Sequence, residues 1–130
     1  MRVVLDCNVL VSAARVDGTC REVINRVVLA HEIVLSKPIL SEYKAVAERR
    51  SQRPFREALT FVISEIERLA VVVEPVNVVF GIRDPDDEVY LATAEAGGAT
   101  LITGNIRDFT EARYGSVEVW SPRTFLDRTN

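Results

Sequence analysis

Asp84-Pro85-Asp86-Asp87-Glu88-Val89-Tyr90-Leu91-Ala92-Thr93-Ala94-Glu95-Ala96-Gly97-Gly98-Ala99-Thr100-Leu101-Ile102-Thr103 reads as a helix, a stop and a strand in direct succession. Asp84 stands at a capping position, Pro85 fills the first helical position without losing an amide bond, and Asp87 completes capping-box spacing. Tyr90, Leu91 and Ala94 then recur at helical period, and Gly97-Gly98 ends the run. Thr100 to Thr103 has the composition of a buried strand. A helix that leads into a buried strand is half of a crossover, and crossovers build parallel sheets.

The same alternation extends in both directions. Met1 to Leu5 is a β-branched apolar run ended by Asp6-Cys7-Asn8, which predicts a buried strand with polar groups at its carboxyl end. Thr19-Cys20-Arg21-Glu22 opens a helix to about residue 30, and Glu32 to Leu35 is a short strand. Ser36 with Pro38 opens a helix whose stripe is Ile39, Tyr43, Val46 and Ala47, ending near Arg50. From Pro54, the residues Phe55, Ala58, Leu59, Val62, Ile63, Ile66 and Leu69 follow one helical face. Ala70 to Val73 reads as a buried strand, Asp108 or Thr110 as the start of a short helix, Val117 to Trp120 as the last strand, and Pro122 to Asp127 as a terminal turn of helix. No strand pair shows a two-residue hairpin turn. The expectation is a three-layer α/β/α domain with a mainly parallel central sheet, residues 1–130 forming a single domain.

Composition narrows the function. A chain of 130 residues with 48% hydrophobic and 27% charged residues can build one core, which excludes disordered and low-complexity classes. Glu32 and Glu74 interrupt the longest apolar runs, so none reaches the roughly 18 residues of a membrane span. Asp6 and Asn8 fall where the middle of a signal-peptide apolar region would lie, and two cysteines, Cys7 and Cys20, give no disulfide framework, so a reducing cytoplasm is expected. A single histidine, His31, argues against a Cys/His zinc site. The net charge of −3 argues against coating nucleic acid by charge alone, so phosphate chemistry here needs a cation.

In open parallel sheets, ligands bind beyond the carboxyl ends of the strands. Asp6 and Asn8 follow the first strand, and Gly104, Asn105 and Asp108 follow the strand ending at Thr103. Helix phase adds Glu42, on the border of the inward stripe between Ile39 and Val46, and Asp87, in phase with Tyr90, Leu91 and Ala94. Glu48, Glu57, Glu65, Glu67 and Glu95 fall mostly off their stripes and read as solvated surface. Two unit charges about 4 Å apart repel by roughly 4 kcal/mol at an effective dielectric near 20, so convergent carboxylates take up protons or bind a cation. An oxygen-only set selects a hard ion, Mg²⁺ or Mn²⁺, and such ions serve nuclease chemistry. Each acid also has a plain structural reading: a cap for Asp84, Asp87 or Asp108, a turn for Asp6, an arginine partner for Glu42.

In this order and spacing, Asp6-x-Asn8, Ser41-Glu42-Tyr43, Asp87-x-x-Tyr90-Leu91-Ala92-x-Ala94 and Thr103-Gly104-Asn105-x-x-Asp108-Phe109 resemble the PIN-domain family, and within it the VapC-like toxin ribonucleases of type II toxin-antitoxin systems. The resemblance spans residues 3 to 109. It implies metal binding and catalysis by Asp6, Glu42, Asp87 and Asp108, with Asn8, Thr103 and Asn105 as polar support and Asp84 as an outer ligand. It also implies one or two Mg²⁺ or Mn²⁺ ions, an RNA substrate, a cognate antitoxin protein and a homodimer. One departure is Asn105, where many relatives carry an acid. Arg49, Arg50, Arg53 and Arg56 form a candidate RNA-contacting edge, since guanidinium forks suit phosphate oxygens; their other reading is a solvated helix end.

The expected function is thus a metal-dependent endoribonuclease, with a PIN-fold module that binds RNA or antitoxin without cutting as the alternative. A phosphatase of the haloacid-dehalogenase type also starts from a strand ending in Asp, but it wants a second Asp where this chain has Asn8.

Overall fold

Val3, Val4 and Leu5 are buried on both faces, which requires a strand with neighbours on each side and helices covering the sheet. The computed structural model describes residues 1–130. Its strands are β1 (Arg2–Leu5), β2 (Glu32–Leu35), β3 (Val71–Val72), β4 (Thr100–Ile102), β5 (Arg113–Tyr114) and β6 (Val117–Trp120), in the spatial order β3-β2-β1-β4-β6-β5. Every neighbouring pair is parallel except β5 with β6. The helices α1 (Cys7–Arg15), α2 (Thr19–Ala30), α3 (Lys37–Ala47), α4 (Arg56–Leu69), α5 (Glu88–Gly97) and α6 (Pro122–Arg128) flank this mixed, mostly parallel sheet, as expected for the α/β class. Leu5 pairs with Ile102, and the Asp6 amide donates to the Ile102 carbonyl at 2.9 Å. The carboxyl ends of β1 and β4 are therefore level, and whatever follows them meets at one edge.

Several expectations are corrected. The sequence predicts polar groups at the end of the first strand and no helix after them, yet the residues after Asp6 form α1, which buries Cys7, Val9, Leu10, Ala13 and Ala14 on one helical face. The β-branched Val9 and Val11 disguise that period, and tertiary packing overrides their weak helix propensity. The helix expected to run near Arg50 stops at Ala47. A 3-10 turn from Arg50 to Phe55 follows, with Pro54 inside it rather than opening α4. The strand expected to be buried at Ala70 to Val73 is the two-residue β3, and Val72 is 60% exposed because β3 is the edge of the sheet. Asp108 ends a 3-10 turn, Ile106–Asp108, instead of starting a helix.

The unanticipated element is a hairpin. Tyr114 pairs with Val117 across a two-residue turn, Gly115-Ser116, and Gly115 adopts φ +60, the left-handed conformation that primed hairpin turns need at this position. Glu95, expected to be solvated, accepts hydrogen bonds from the Ser116 amide at 3.3 Å and from its hydroxyl, tying the hairpin to α5.

Candidate active site

Each acid is delivered by a different element. Asp6 follows β1 and stands at the N-cap of α1, but its side chain makes no bond to the helix amides. Instead its Oδ2 accepts the Thr103 hydroxyl at 2.9 Å. Thr103 Oγ in turn accepts the Asn105 amide at 3.0 Å and the Asn8 side-chain amide at 3.4 Å, while Asn8 Oδ1 accepts the Gly104 amide at 2.9 Å. Asn8, Thr103 and Asn105 thus knit the two strand ends together. The Asn105 side chain also donates to the Asp108 carboxylate, fixing its orientation.

Asp84, Asp87 and Asp108 converge: one carboxylate oxygen from each lies within 4.8 Å of the others. Asp84 is a cap as well, accepting the Asp86 amide at 3.0 Å, as its structural reading expects. Asp87, in contrast, makes no cap. Its carboxyl is pushed up to about 7, first by burial and then by the charges of Asp6, Asp84 and Asp108. Burial likewise pushes Asp6 up to about 6, with Glu42 adding to it and the Thr103 hydroxyl opposing it.

Glu42 lies outside that three-carboxylate cluster. It lines a cavity of about 700 Å³ with Asp6, Asn8 and Arg49. Its carboxyl is raised by burial and by Asp86 and Asp84; the Tyr90 hydroxyl and Arg49 act the other way. Tyr90 Oη faces Glu42 without closing a hydrogen bond of normal geometry. Beside Glu42 on α3, the buried Tyr43 hydroxyl donates to the Leu5 carbonyl and pins the end of β1 next to Asp6. None of Asp6, Glu42, Asp84, Asp87 or Asp108 forms an ion pair with lysine or arginine. Carboxylates without a cationic partner, with Asp6, Glu42 and Asp87 raised toward the protonated form, are the electrostatic condition for a bound cation, and an all-oxygen donor set fits Mg²⁺ or Mn²⁺.

The four arginines separate. Arg49 faces the cavity; Arg50 and Arg53 are exposed on the 3-10 turn. Arg56 is engaged with the carbonyls of Ala47, Glu48 and Arg49 at 2.7, 3.1 and 3.2 Å, capping the C-terminus of α3. Glu88 was not singled out from the sequence. Its carboxylate accepts the amides of Phe80, Gly81 and Ile82 at 2.8, 2.8 and 3.2 Å and anchors the segment that leads to Asp84. Only its place in the first turn of α5 hinted at such a role. Burial pushes the Cys7 thiol up to about 12, so it stays protonated and packs as an inert apolar filler.

The family model described as PIN domain matches residues 2–107. Among solved structures, the chain is similar to VapBC2 from Rickettsia felis, crystallised with a DNA fragment from the promoter of its genes. The identity is 18%, the match covers 93% of this chain and 98% of that one, and the TM-score is 0.66. It is also similar to DNA-bound VapBC from Salmonella typhimurium, at 17% identity, 94% and 98% coverage and a TM-score of 0.67. These likenesses establish the fold. No curated protein matches the sequence.

Proposed function

The chain belongs to the PIN-domain family, and from that premise we propose that it is a Mg²⁺- or Mn²⁺-dependent endoribonuclease, the toxin of a toxin-antitoxin pair. The observation that carries this reading is the convergence of Asp84, Asp87 and Asp108 beside Asp6, with no cation to balance them. Asp6, Glu42, Asp87 and Asp108 are the proposed ligands of one or two ions, and Asp84 an outer ligand. A divalent ion held there supplies the polarisation of a phosphate oxygen, the acidification of water and the neutralisation of leaving-group charge. The chain's own residues set the stage. The ionised forms of Asp6 and Asp87 would hold the ion, and the Thr103 hydroxyl keeps the Asp6 carboxylate in place. Asn105 holds Asp108, and Arg49, Arg50 and Arg53 offer guanidinium groups to the RNA backbone. Arg56 is assigned to the fold.

The partners proposed are RNA, a cognate antitoxin and a second copy of the chain, with residues 1–130 as one PIN-like domain in the cytoplasm. No helix is long and apolar enough to cross a membrane. The test is cleavage of a structured-RNA pool in EDTA, Mg²⁺ or Mn²⁺, beside Asp6→Asn and Asp87→Asn. Metal-dependent cleavage lost in both variants is expected; an Asp6→Asn protein that cuts at the wild-type rate overturns the reading. One observation favours the alternative of a binding module: the Asn105 amide occupies an oxygen of Asp108. Calorimetry that finds no Mn²⁺ uptake while RNA is retained would decide for it.

A further inference from the structure

The cavity that starts at Asp6 and Glu42 continues past Arg49 to Gln52, Phe55 and Arg15, and the carboxylate chemistry uses none of these last three. At this far end the Arg15 guanidinium lies 4.9 Å over the centre of the Phe55 ring. Phe55 is half-buried and Arg15 exposed, so the pair is anchored in the fold and reachable from solvent. Stacked guanidinium and aromatic planes are the surfaces on which proteins receive unpaired bases. A second observation points to a missing ligand. Gln52 is 8% exposed, and its side-chain Oε1 has no hydrogen-bond partner, a state that buried amides rarely keep. The terminal torsion of a glutamine is broad, so a modest turn presents that oxygen to the cavity.

We propose that Arg15, Gln52 and Phe55 form a subsite for one unpaired nucleobase of the RNA whose phosphate is handled at Asp6 and Glu42; this rests on the ribonuclease reading above. The base extends the Arg15–Phe55 stack. Arg49, between the stack and the carboxylates, meets the intervening phosphate, its charge already directed at Glu42. The orphaned Gln52 oxygen accepts from an N–H on the edge of that base.

The test measures binding rather than turnover. A short labelled single-stranded RNA, and a set of copies each lacking one base, are titrated with wild-type protein in Ca²⁺ and followed by fluorescence anisotropy. One position is expected at which base removal weakens binding by roughly 10-fold, within the range of about 5- to 150-fold that a stacked base supplies. Phe55→Leu should weaken the parent RNA by a similar factor and leave that abasic RNA unchanged. A Phe55→Leu protein that binds every RNA as wild type does, or weakens all of them equally, overturns the proposal. Should Phe55→Leu melt early, Arg15→Gln at an exposed position carries the same comparison. RNA retained without any position dependence overturns the subsite alone, whereas a wild-type protein that retains no RNA overturns the ribonuclease reading with it.

Discussion

Asp6 and Asp87 are carboxyls held where ionisation is disfavoured, at about 6 and about 7 against an ordinary 3.8. Between the ordinary and the raised values, the folded protein binds more protons than the unfolded chain, so stability is greatest at acid pH and falls as pH climbs through 6 and 7. Asp6 is the more buried of the two, and its ionisation costs on the order of 2 kcal/mol. In EDTA at pH 8, Asp6→Asn should therefore raise Tm by about 6–10 °C while abolishing Mn²⁺ binding, both readable by thermal melts with and without the ion. An unchanged Mn²⁺-induced shift in the variant would remove Asp6 from the ligand set. Asp6, Glu42, Asp87 and Asp108 were legible in the sequence because strand ends and helix phase point side chains predictably. Gln52 was not, and Phe55 was read into the apolar face of the next helix, since a six-residue 3-10 turn is too short for its threefold period to show.

Glu88 works on the segment before α5. Three charge-assisted hydrogen bonds to Phe80, Gly81 and Ile82 hold a stretch without regular structure. Glu88→Ala should speed amide exchange at those residues by about 10- to 100-fold, measurable by mass spectrometry, with the β1 amides unaffected. Gly97 answers a different need. A Cβ there would sit 2.5 Å from Val34 Cγ1, where α5 crosses the buried Val34 of β2. Gly97→Ala is expected to cost about 1–3 kcal/mol, seen as a fall in the urea midpoint with unchanged slope. From the sequence alone, Gly97 was half of a stop signal; its packing role needed the neighbour across the layer. The same limit hid α1, whose helical face is plain only once the sheet it covers is known.

On the scale of the whole molecule, the mostly parallel sheet was legible because strands and helices alternate and each buried run is short. The hairpin escaped because β5 has two residues, Arg113 and Tyr114, too few to show alternation. The charge balance bears on RNA. With a net charge of −3, attraction must come from a few guanidinium groups rather than a basic coat. If Arg49, Arg50 and Arg53 are the phosphate contacts, the slope of log affinity against log salt should be no steeper than about −2, at about −0.7 per contact for single strands. A markedly steeper slope in the anisotropy titration would mean that other cations take part.

The bond from Thr103 to Asp6 joins residues 97 positions apart. A chain leaving the ribosome exposes Asp6 and Glu42 early, but nothing faces them until the stretch from Asp84 to Asp108 has followed. On the proposed ribonuclease reading, synthesis itself acts as a timer: the site is incomplete until the stretch through Asp108 has been made, and a product ending before Thr103 lacks the hydroxyl that holds Asp6.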